Sequence, residues 1–199
     1  MNKAPTSRRA ALAALAGASA AWPMTVRGQG QSDPPAFDAG RHQYTLLRPV
    51  RDASAIRLTG LAGDETPLAR FRGKVLLVNF WATWCAACRT ELPALDRLQV
   101  ALGTSDVEIA AVSTDRGGRA VVAPFLRQLN IRRLKVYLDP DARVGRINGD
   151  GIDSFALYGL PMTYVVGRAG QIHGYIVGDA DWTSDAARAL IEYYRRAEG

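Results

Sequence analysis

Cysteine and histidine are scarce in this 199-residue chain, which contains two of each. A structural zinc site takes about four cysteine or histidine ligands, so the sequence argues against one. Two cysteines are also too few to replace a hydrophobic core with a network of disulfides. A copper(I) site accepts fewer and softer ligands, and it stays open with Cys85, Cys88 and His173 as ligands, whereas His42 lies in a predicted linker.

The chain also lacks an apolar run long enough to span a membrane. Residues 10–21 are mostly alanine and too short to cross about 30 Å of hydrocarbon. Basic residues precede this stretch, residues 1–30 contain no acid, and small residues at 18–20 suit a signal peptidase. The paired arginines of TSRRAAL resemble a twin-arginine export signal. We expect residues 1–30 to be a cleaved signal peptide, with a retained anchor as the alternative, followed by a linker at 31–43 and one domain at 44–199.

The excess of basic residues belongs partly to the predicted signal. The whole chain has 25 Lys and Arg residues against 19 Asp and Glu. Four of the basic residues and none of the acidic ones lie in residues 1–30, so the rest of the chain is nearly neutral. Binding to nucleic acid is therefore not indicated. Export predicts a periplasmic or otherwise extracytoplasmic location, where disulfides form and persist.

Strand and helix patterns alternate along the rest of the chain. VLLVNF at 75–80 is typical of a strand buried on both faces, and residues 107–112 form a second such run. Apolar spacing predicts helices from the cysteines to Gly103, at 121–129, and from about Ser184. Short strands at 56–61 and 136–138 and a hairpin of 162–166 with 171–177 complete the pattern. This order predicts an α/β fold with a mixed sheet.

The two cysteines lie three residues apart, where a predicted strand is followed by a helix. A thiol at a helix N-terminus meets the positive end of the helix dipole, which favours the thiolate, and Arg89 adds a positive charge nearby. Cys85 is therefore the predicted nucleophile. Cys88, one helical turn later, could resolve a mixed disulfide formed at Cys85. A static disulfide is less favoured, because so short a loop constrains little of the unfolded chain.

The cysteine region and a later segment together resemble a known group of enzymes. WCAAC follows the strand, Arg89, Glu91 and Pro93 come next, and GLPMT occupies residues 159–163. This two-part motif is similar to that of the thioredoxin fold, and residues 73–95 and 159–178 resemble the TlpA/ResA group of exported thiol:disulfide oxidoreductases. The resemblance covers about residues 44–197. It implies a central mixed β-sheet flanked by helices, an N-terminal β extension and a central insertion.

The resemblance also assigns roles to individual residues. It implies that Trp84 shields the cysteines, that Pro161 follows a cis peptide bond and faces them, and that the backbone of Leu160 receives substrate as an added strand. Asp115 ends a predicted strand at a position where relatives carry an acid that assists the buried thiol. An exposed helix-capping aspartate is the alternative for this residue.

The chain departs from the pattern of the group in three places. Ala86-Ala87 between the cysteines lacks the proline or histidine of many relatives, and Met162 replaces a usual threonine. Asn79 stands where thioredoxins carry a buried aspartate. The first departure leaves the reduction potential open. The third removes a titrating base, which makes Asp115 the remaining candidate for proton transfer.

The predicted function is reduction of disulfides in other exported proteins, and the resemblance implies apocytochrome c or a copper-site subunit of cytochrome oxidase as substrates. The Cys85–Cys88 disulfide would serve in place of any separate cofactor, and a membrane thiol-reductase would supply electrons. A disulfide-forming oxidant and a copper-binding assembly chaperone stay open as alternatives. Peroxide reduction is disfavoured, because Ala82 and Val78 replace the Thr or Ser and the proline that it would need before Cys85.

Overall fold

The computed structural model describes Met1 and residues 33–39, 42–103, 106–149, 151 and 153–197. The chain divides into two units, Met1–Ser32 and Asp33–Gly199, and the following account concerns the second. Apart from Met1, the predicted signal peptide lies outside the described residues, and its cleavage stays a prediction. Within the described part of the chain, no helix is long and apolar enough to cross a membrane.

Strands and helices alternate through most of the described residues. The strands are β1 (Asp38–Ala39), β2 (His42–Gln43), β3 (Thr45–Asp52), β4 (Arg57–Gly60), β5 (Glu65–Pro67), β6 (Val75–Trp81), β7 (Val107–Ser113), β8 (Lys135–Leu138), β9 (Gly145–Ile147), β10 (Phe155–Leu157), β11 (Met162–Val166) and β12 (Gln171–Val177). The helices are α1 (Ala86–Leu102), α2 (Arg119–Gln128) and α3 (Asp185–Arg196), and Leu68–Phe71 form a 3-10 turn.

The main sheet joins strands that are distant in the sequence. In the described chain it contains eight strands in the order β3-β12-β11-β6-β7-β8-β4-β5. β6, β7 and β8 are parallel neighbours, whereas β11 runs antiparallel to β6 and to β12. Every residue of β6 and β7 is buried, including the polar Asn79 and the charged Glu108, as their mainly apolar sequences predict. The predicted α/β class with a central mixed sheet is confirmed.

The two faces of the sheet are covered by different parts of the chain. Side chains of α1, α2 and α3 share one apolar cluster with Leu77 and Trp81 of β6. Val78 and Phe80 belong to a second cluster, with the 3-10 turn, the residues before it and β10. Right-handed crossovers between successive parallel strands place α1 and α2 on the same face. The described helices therefore flank one face, and the N-terminal extension and the insertion cover the other.

The helix boundaries follow signals that are present in the sequence. Gly103 after α1 and Asn130 after α2 have positive φ angles of 68° and 56°. Such left-handed residues commonly end helices. The Ser184 side chain accepts a hydrogen bond from the N–H of Ala187 and so caps α3. Two prolines lie inside helices, Pro93 in α1 and Pro124 in α2.

β3 is a strand that the sequence pattern did not predict. It pairs with β12 in two short stretches, and residues 47–50 between them have no paired partner on β12. Most of its side chains are exposed or half-buried, because β3 is the last strand at one side of the sheet. An edge strand of this kind lacks the apolar alternation on which such a prediction depends.

The central insertion begins with a turn organised by a buried carboxylate. The Asp139 side chain accepts hydrogen bonds from the backbone N–H groups of Arg143, Val144 and Gly145 at 2.7–3.2 Å. The turn leads into β9, which pairs in parallel with β10. The sequence predicts only a polar connection at 139–153, because the three-residue β9 is too short to show a periodic pattern.

Aromatic contacts fix the insertion to the central strand. The Phe155 ring lies 5.4 Å from the Phe80 ring and 4.7 Å from the Tyr164 ring. Gly145 lies so close that a Cβ added there would be 2.7 Å from Phe80 Cε1. The insertion ends directly before Gly159, Leu160 and Pro161, so its packing also fixes where that segment starts.

Ordered structure extends ahead of Tyr44, where the sequence predicts the domain to begin. Within the predicted linker, β1 pairs antiparallel with β2. Phe37 is buried, and its ring lies 5.2 Å from that of Trp182. A single apolar residue in a polar stretch gives no periodic signal, which is why the sequence pattern did not include this segment.

Candidate active site

The two cysteines form a disulfide at the start of α1. Their sulfur atoms are 2.11 Å apart, and their Cα atoms are separated by 5.3 Å. Cys85 is the N-cap residue of α1, and Cys88 lies in its first turn. Cys88 is fully buried, whereas Cys85 is 7% exposed. A molecule approaching from outside therefore meets the sulfur of Cys85 first.

The helix terminus gives Cys85 an electropositive environment. The backbone N–H of Cys88 donates a hydrogen bond to Cys85 Sγ at 3.2 Å, and the first turn of α1 contains no acidic residue. The positive end of the helix dipole favours a negatively charged sulfur at this position. Arg89 follows in the same turn, and its guanidinium carbon lies 5.4 Å from the centroid of the Phe125 ring.

Pro161 lies at the same edge of the sheet as the cysteines. The Leu160–Pro161 peptide bond is cis, as the resemblance implies. Met162 is paired with Phe80, so continuing the antiparallel register by one residue places Pro161 opposite Trp81, at the end of the strand that leads to Cys85. Leu160 is half-buried and packs against both apolar clusters.

Trp84 stands on the surface immediately before the nucleophile. Its side chain is 72% exposed. Large exposed aromatic side chains are uncommon on protein surfaces and are enriched where proteins bind one another. Its predicted shielding of the cysteine pair is not tested by these contacts and stays a prediction.

Asp115 supports the loop that precedes Cys85. Its carboxylate accepts hydrogen bonds from the N–H and the hydroxyl of Thr83 at 2.9 and 2.7 Å, and from the Ser113 hydroxyl at 2.8 Å. Asp115 is only 5% exposed, and Gly118 is the N-cap of α2. The alternative of an exposed capping aspartate is therefore wrong. The contacts join the carboxyl ends of β6 and β7 next to the active site.

Glu91 is a buried acid that the sequence reasoning did not single out as a functional residue. It lies in α1 one turn beyond Cys88 and is 4% exposed. Its carboxylate accepts hydrogen bonds from Asn79 Nδ2 at 2.9 Å, Trp182 Nε1 at 2.8 Å and the N–H of Ala180 at 3.2 Å. Burial outweighs these donors and raises the pKa of Glu91 to about 7.

A signal for Glu91 is present in the sequence. It is three residues after Cys88 and next to Leu92 on the face of α1 that the leucine spacing predicts to be buried. A carboxyl group on a buried helix face is unusual unless it is hydrogen-bonded or has an altered pKa. The helical periodicity that predicts α1 would therefore have identified this residue as well.

The structure does not bring His173 to the cysteines. His173 lies on β12 between Ile172 and Gly174, which pair with Val166 and Val165, whereas the end of β11 near the cysteines is Met162. The His173 ring packs 4.9 Å from Tyr194, and burial lowers the pKa of His173. The prediction of His173 as a third copper ligand is wrong, because a strand rises about 3.3 Å per residue and separates it from the site. Among the described residues, no group of three or more His, Cys, Asp or Glu side chains could hold a metal ion.

A disulfide at a helix start, next to the cis-proline end of an antiparallel neighbouring strand, is the arrangement of thiol:disulfide oxidoreductases with a thioredoxin-like fold. Comparison with known proteins agrees with this class. The model of the AhpC/TSA family matches residues 49–174, more than half of the chain, and the chain belongs to this family.

Individual relatives narrow the class further. The chain is 28% identical over 129 residues to the thiol-disulfide oxidoreductase ResA of Bacillus thuringiensis, an alignment that covers 65% of this chain and 69% of ResA. It is 36% identical over 132 residues to the thiol:disulfide interchange protein HelX of Rhodobacter capsulatus, covering 64% of this chain and 67% of HelX. These relatives confirm the resemblance to the TlpA/ResA group, and the protein is a thiol:disulfide oxidoreductase.

A solved structure shows the same fold. A crystal structure assigned as the thiol:disulfide interchange protein DsbE of Chlorobium tepidum superposes with a TM-score of 0.62 at 25% identity. The superposition covers 75% of this chain and 99% of that one. The thioredoxin-like fold that the sequence predicts is therefore confirmed.

Proposed function

We propose that this protein is an exported enzyme that reduces disulfides in other exported proteins. The observation that carries the proposal is the Cys85–Cys88 pair. Cys85 caps α1 and is the partly exposed member of the pair, whereas Cys88 is fully buried in the first turn of the helix. Such an arrangement suits attack by one thiol and resolution by the other. The proposed location is periplasmic or otherwise extracytoplasmic, supported by the twin-arginine-like sequence at 6–12.

The proposed reaction moves two electrons from the dithiol form of the enzyme to the substrate. The Cys85 thiolate attacks one sulfur of the substrate disulfide, a mixed disulfide forms, and the first substrate thiolate leaves. The Cys88 thiolate then attacks the sulfur of Cys85, and the second substrate thiolate leaves. Both substrate thiolates take up protons. The enzyme is left with the Cys85–Cys88 disulfide that the structure contains.

The proposed substrate contacts lie around the exposed edge of the pair. Leu160 would offer its backbone to an extended substrate segment, and Pro161 would keep a backbone N–H away from the reacting sulfurs. Trp84 would contribute apolar surface beside Cys85. The positions of these three residues support the proposed contacts, because all three lie at the end of the sheet where β6 leads into α1.

Regeneration requires a further partner. The oxidised enzyme needs two electrons for each turnover, and we propose a membrane thiol-reductase as their source. Apocytochrome c, or a copper-site subunit of cytochrome oxidase, is the proposed substrate, supported by the resemblance to the TlpA/ResA group. A role as a copper chaperone has less support, because His173 lies away from the cysteines.

A trapping experiment tests the order of the two thiols. We expect Cys85→Ser to abolish dithiothreitol-coupled insulin reduction, and Cys88→Ser to accumulate a mixed disulfide between Cys85 and substrate, because the resolving thiol is missing. Non-reducing electrophoresis and mass spectrometry would detect this adduct. The double variant is the control and should form none. Adducts with Cys85→Ser instead of Cys88→Ser would reverse the assigned roles.

A further inference from the structure

Several exposed arginines on the helices next to the active site have no carboxylate partner. Five side chains on α1, on the loop after β7 and on α2 are exposed: Arg89, Arg97, Arg116, Arg119 and Arg127. Among the described residues none of the five forms an ion pair. In contrast, Arg188, Arg195 and Arg196 of α3 all contact carboxylates.

Three acids on the same elements already accept hydrogen bonds from other groups. Glu91 is buried among hydrogen-bond donors, and Asp115 holds Thr83. Asp96 accepts hydrogen bonds from three consecutive backbone N–H groups, those of residues 132–134. In the part of the chain that the structure describes, neither Asp96 nor Asp115 forms an ion pair with any of the five arginines, so these guanidinium groups can pair with carboxylates of another molecule.

Three of these arginines lie at the same edge of the sheet as the reactive sulfur. β6 and β7 are parallel, so α1 and α2 both begin at the carboxyl edge of the sheet. The bonds between Thr83 and Asp115 hold the two connecting loops together, so the loop that contains Arg116 and the start of α2 at Arg119 lie at the same edge as Cys85. Arg89 lies over the Phe125 ring of α2 and so lies between the two helices. We call Arg89, Arg116 and Arg119 the arginine rim.

We propose that the arginine rim is a docking site for acidic side chains that flank the disulfide of a protein partner. Guanidinium groups pair with carboxylates through two parallel hydrogen bonds, and the rim contains arginine with no lysine. A partner must approach Cys85 to exchange disulfides, so its flanking residues would face the rim. An anionic membrane is less suitable, because binding it there would cover the reacting sulfur. The inference rests on the proposed exchange reaction, and it specifies that the partner carries negative charge beside its disulfide.

The test compares peptides that differ only in the residues flanking one disulfide. Three peptides would carry glutamate, serine or lysine at the flanking positions, and the rate constant of reduction by the dithiol enzyme would be measured at increasing salt. We expect the glutamate peptide to react about tenfold faster than the lysine peptide at low salt, with the difference shrinking as salt rises. The variant Arg116→Glu/Arg119→Glu should lose or reverse this preference.

A matched control separates the rim from net charge. Arg70 and Arg133 are exposed and, within the described residues, form no ion pair; they lie near the starts of β6 and β8, at the opposite edge of the sheet from Cys85. Arg70→Glu/Arg133→Glu changes the net charge equally and should keep the glutamate preference. A rim variant that slows all three peptides equally would overturn docking, since the arginines would then act only on the thiolate.

Two other outcomes are decisive. If the wild-type enzyme reduces none of the peptides, the proposed function itself fails; if it reduces all three at one rate, only the docking inference fails. Co-sedimentation with phosphatidylglycerol vesicles tests the membrane alternative. Binding that requires Arg116 and Arg119, together with an unchanged peptide preference in the variant, would overturn the inference and assign the rim to lipid.

Discussion

At the scale of single residues, Asn79 and Glu91 form a polar contact inside an otherwise apolar layer between β6 and α1. Asn79 donates to both Glu91 and Thr163 at 2.9 Å, and among the described residues its Oδ1 has no hydrogen-bond partner. Rotating the amide would turn that oxygen toward the same two groups. Asn79 can therefore donate to a Glu91 carboxylate or accept from the protonated acid.

We expect Glu91 to make stability depend on pH. Its pKa is about 7 in the folded protein, against 4.5 as the ordinary value. Between these values the unfolded chain has lost the proton while the folded protein keeps it, so the contribution of Glu91 to stability is fully present below pH 4.5 and is lost as the pH rises through 7. The total loss is about 3 kcal/mol. Denaturant unfolding at a series of pH values would measure it.

Glu91→Gln is the control for this pH dependence. Glutamine does not titrate, its oxygen can still accept from Trp182, and its amide can donate to the rotated Asn79. The unfolding free energy of the variant, relative to that of the wild type, should therefore increase as the pH rises from 4.5 to 7. Parallel curves for the two proteins across this range would show that Glu91 is ionised in both states.

The bonds of Asp115 predict an anchoring role. Thr83→Val keeps the side-chain shape but removes the hydroxyl that donates to Asp115, which should lower stability by about 1–3 kcal/mol and slow disulfide exchange. Asp115→Asn should have the same effects. Neither change should move the pH midpoint of the exchange rate, measured from pH 5 to 9. A midpoint shifted by Asp115→Asn but not by Thr83→Val would instead support the proton-transfer role implied by the resemblance.

Individual site residues were predictable to different degrees. Cys85, Cys88 and Pro161 stand out because their motif is read from local sequence. The partner of Asp115 could not be predicted, since Thr83 lies on a different loop and only the parallel pairing of β6 with β7 brings the two together. His173 was wrong as a third copper ligand, because residue type gives no information about distance along β12.

At the scale of secondary-structure elements, the insertion of β9 and β10 packs against the central strand and leads into Pro161. Gly145→Ala would place a methyl group against Phe80 and Leu157, and we expect a loss of about 1–3 kcal/mol from overpacking. Exchange with protein substrates should also slow, because the insertion leads directly into residues 159–161. Urea unfolding and insulin reduction would measure the two effects.

A double-mutant cycle tests whether contact between the new methyl group at residue 145 and Phe80 causes the loss of stability. Phe80→Leu shortens the side chain that the new methyl group would meet, so Gly145→Ala should cost less in that background than in the wild type. Costs that simply add would show that the alanine acts elsewhere, for example on the backbone of β9.

Most elements were predictable where the pattern was continuous. β6, β7, β11, β12 and the three helices lie close to their predicted positions, because their apolar residues repeat over five residues or more. β3 and β9 were not predicted; β3 pairs with the distant β12, and β9 is a three-residue strand paired with β10. The side chains of β3 and β9 are mostly exposed, so their sequences show no apolar pattern from which a strand could be predicted.

At the scale of the whole molecule, the reduction potential decides the direction of electron flow. Ala86 and Ala87 offer neither charge nor a side-chain donor, so the helix terminus and Arg89 are the groups that favour the Cys85 thiolate. We expect a moderate potential, on the order of −200 to −270 mV. Equilibration with glutathione redox buffers, followed by mass spectrometry, would measure it. A value near −120 mV, characteristic of strong oxidants, would replace the reductase with the disulfide-forming alternative.

The division of the sheet into a helical face and an irregular face was not predictable from the sequence. Segments without periodicity, such as residues 53–56 and 139–144, gave no indication that they cover the second face. They do so because alternate side chains of β6, such as Val78 and Phe80, present an apolar surface there. The core of the molecule is thus completed by parts of the chain that look like connections.

The two outer strands of the main sheet, β3 and β5, have features that disfavour self-association. Both carry a proline, Pro49 in β3 and Pro67 in β5, and proline has no N–H to donate to another strand. Arg48 and Arg51 add charge to the β3 edge, and residues 47–50 interrupt its pairing with β12. Edges of this kind resist the addition of strands from other molecules. The outer edges of this sheet are therefore poor templates for pairing between copies of the chain.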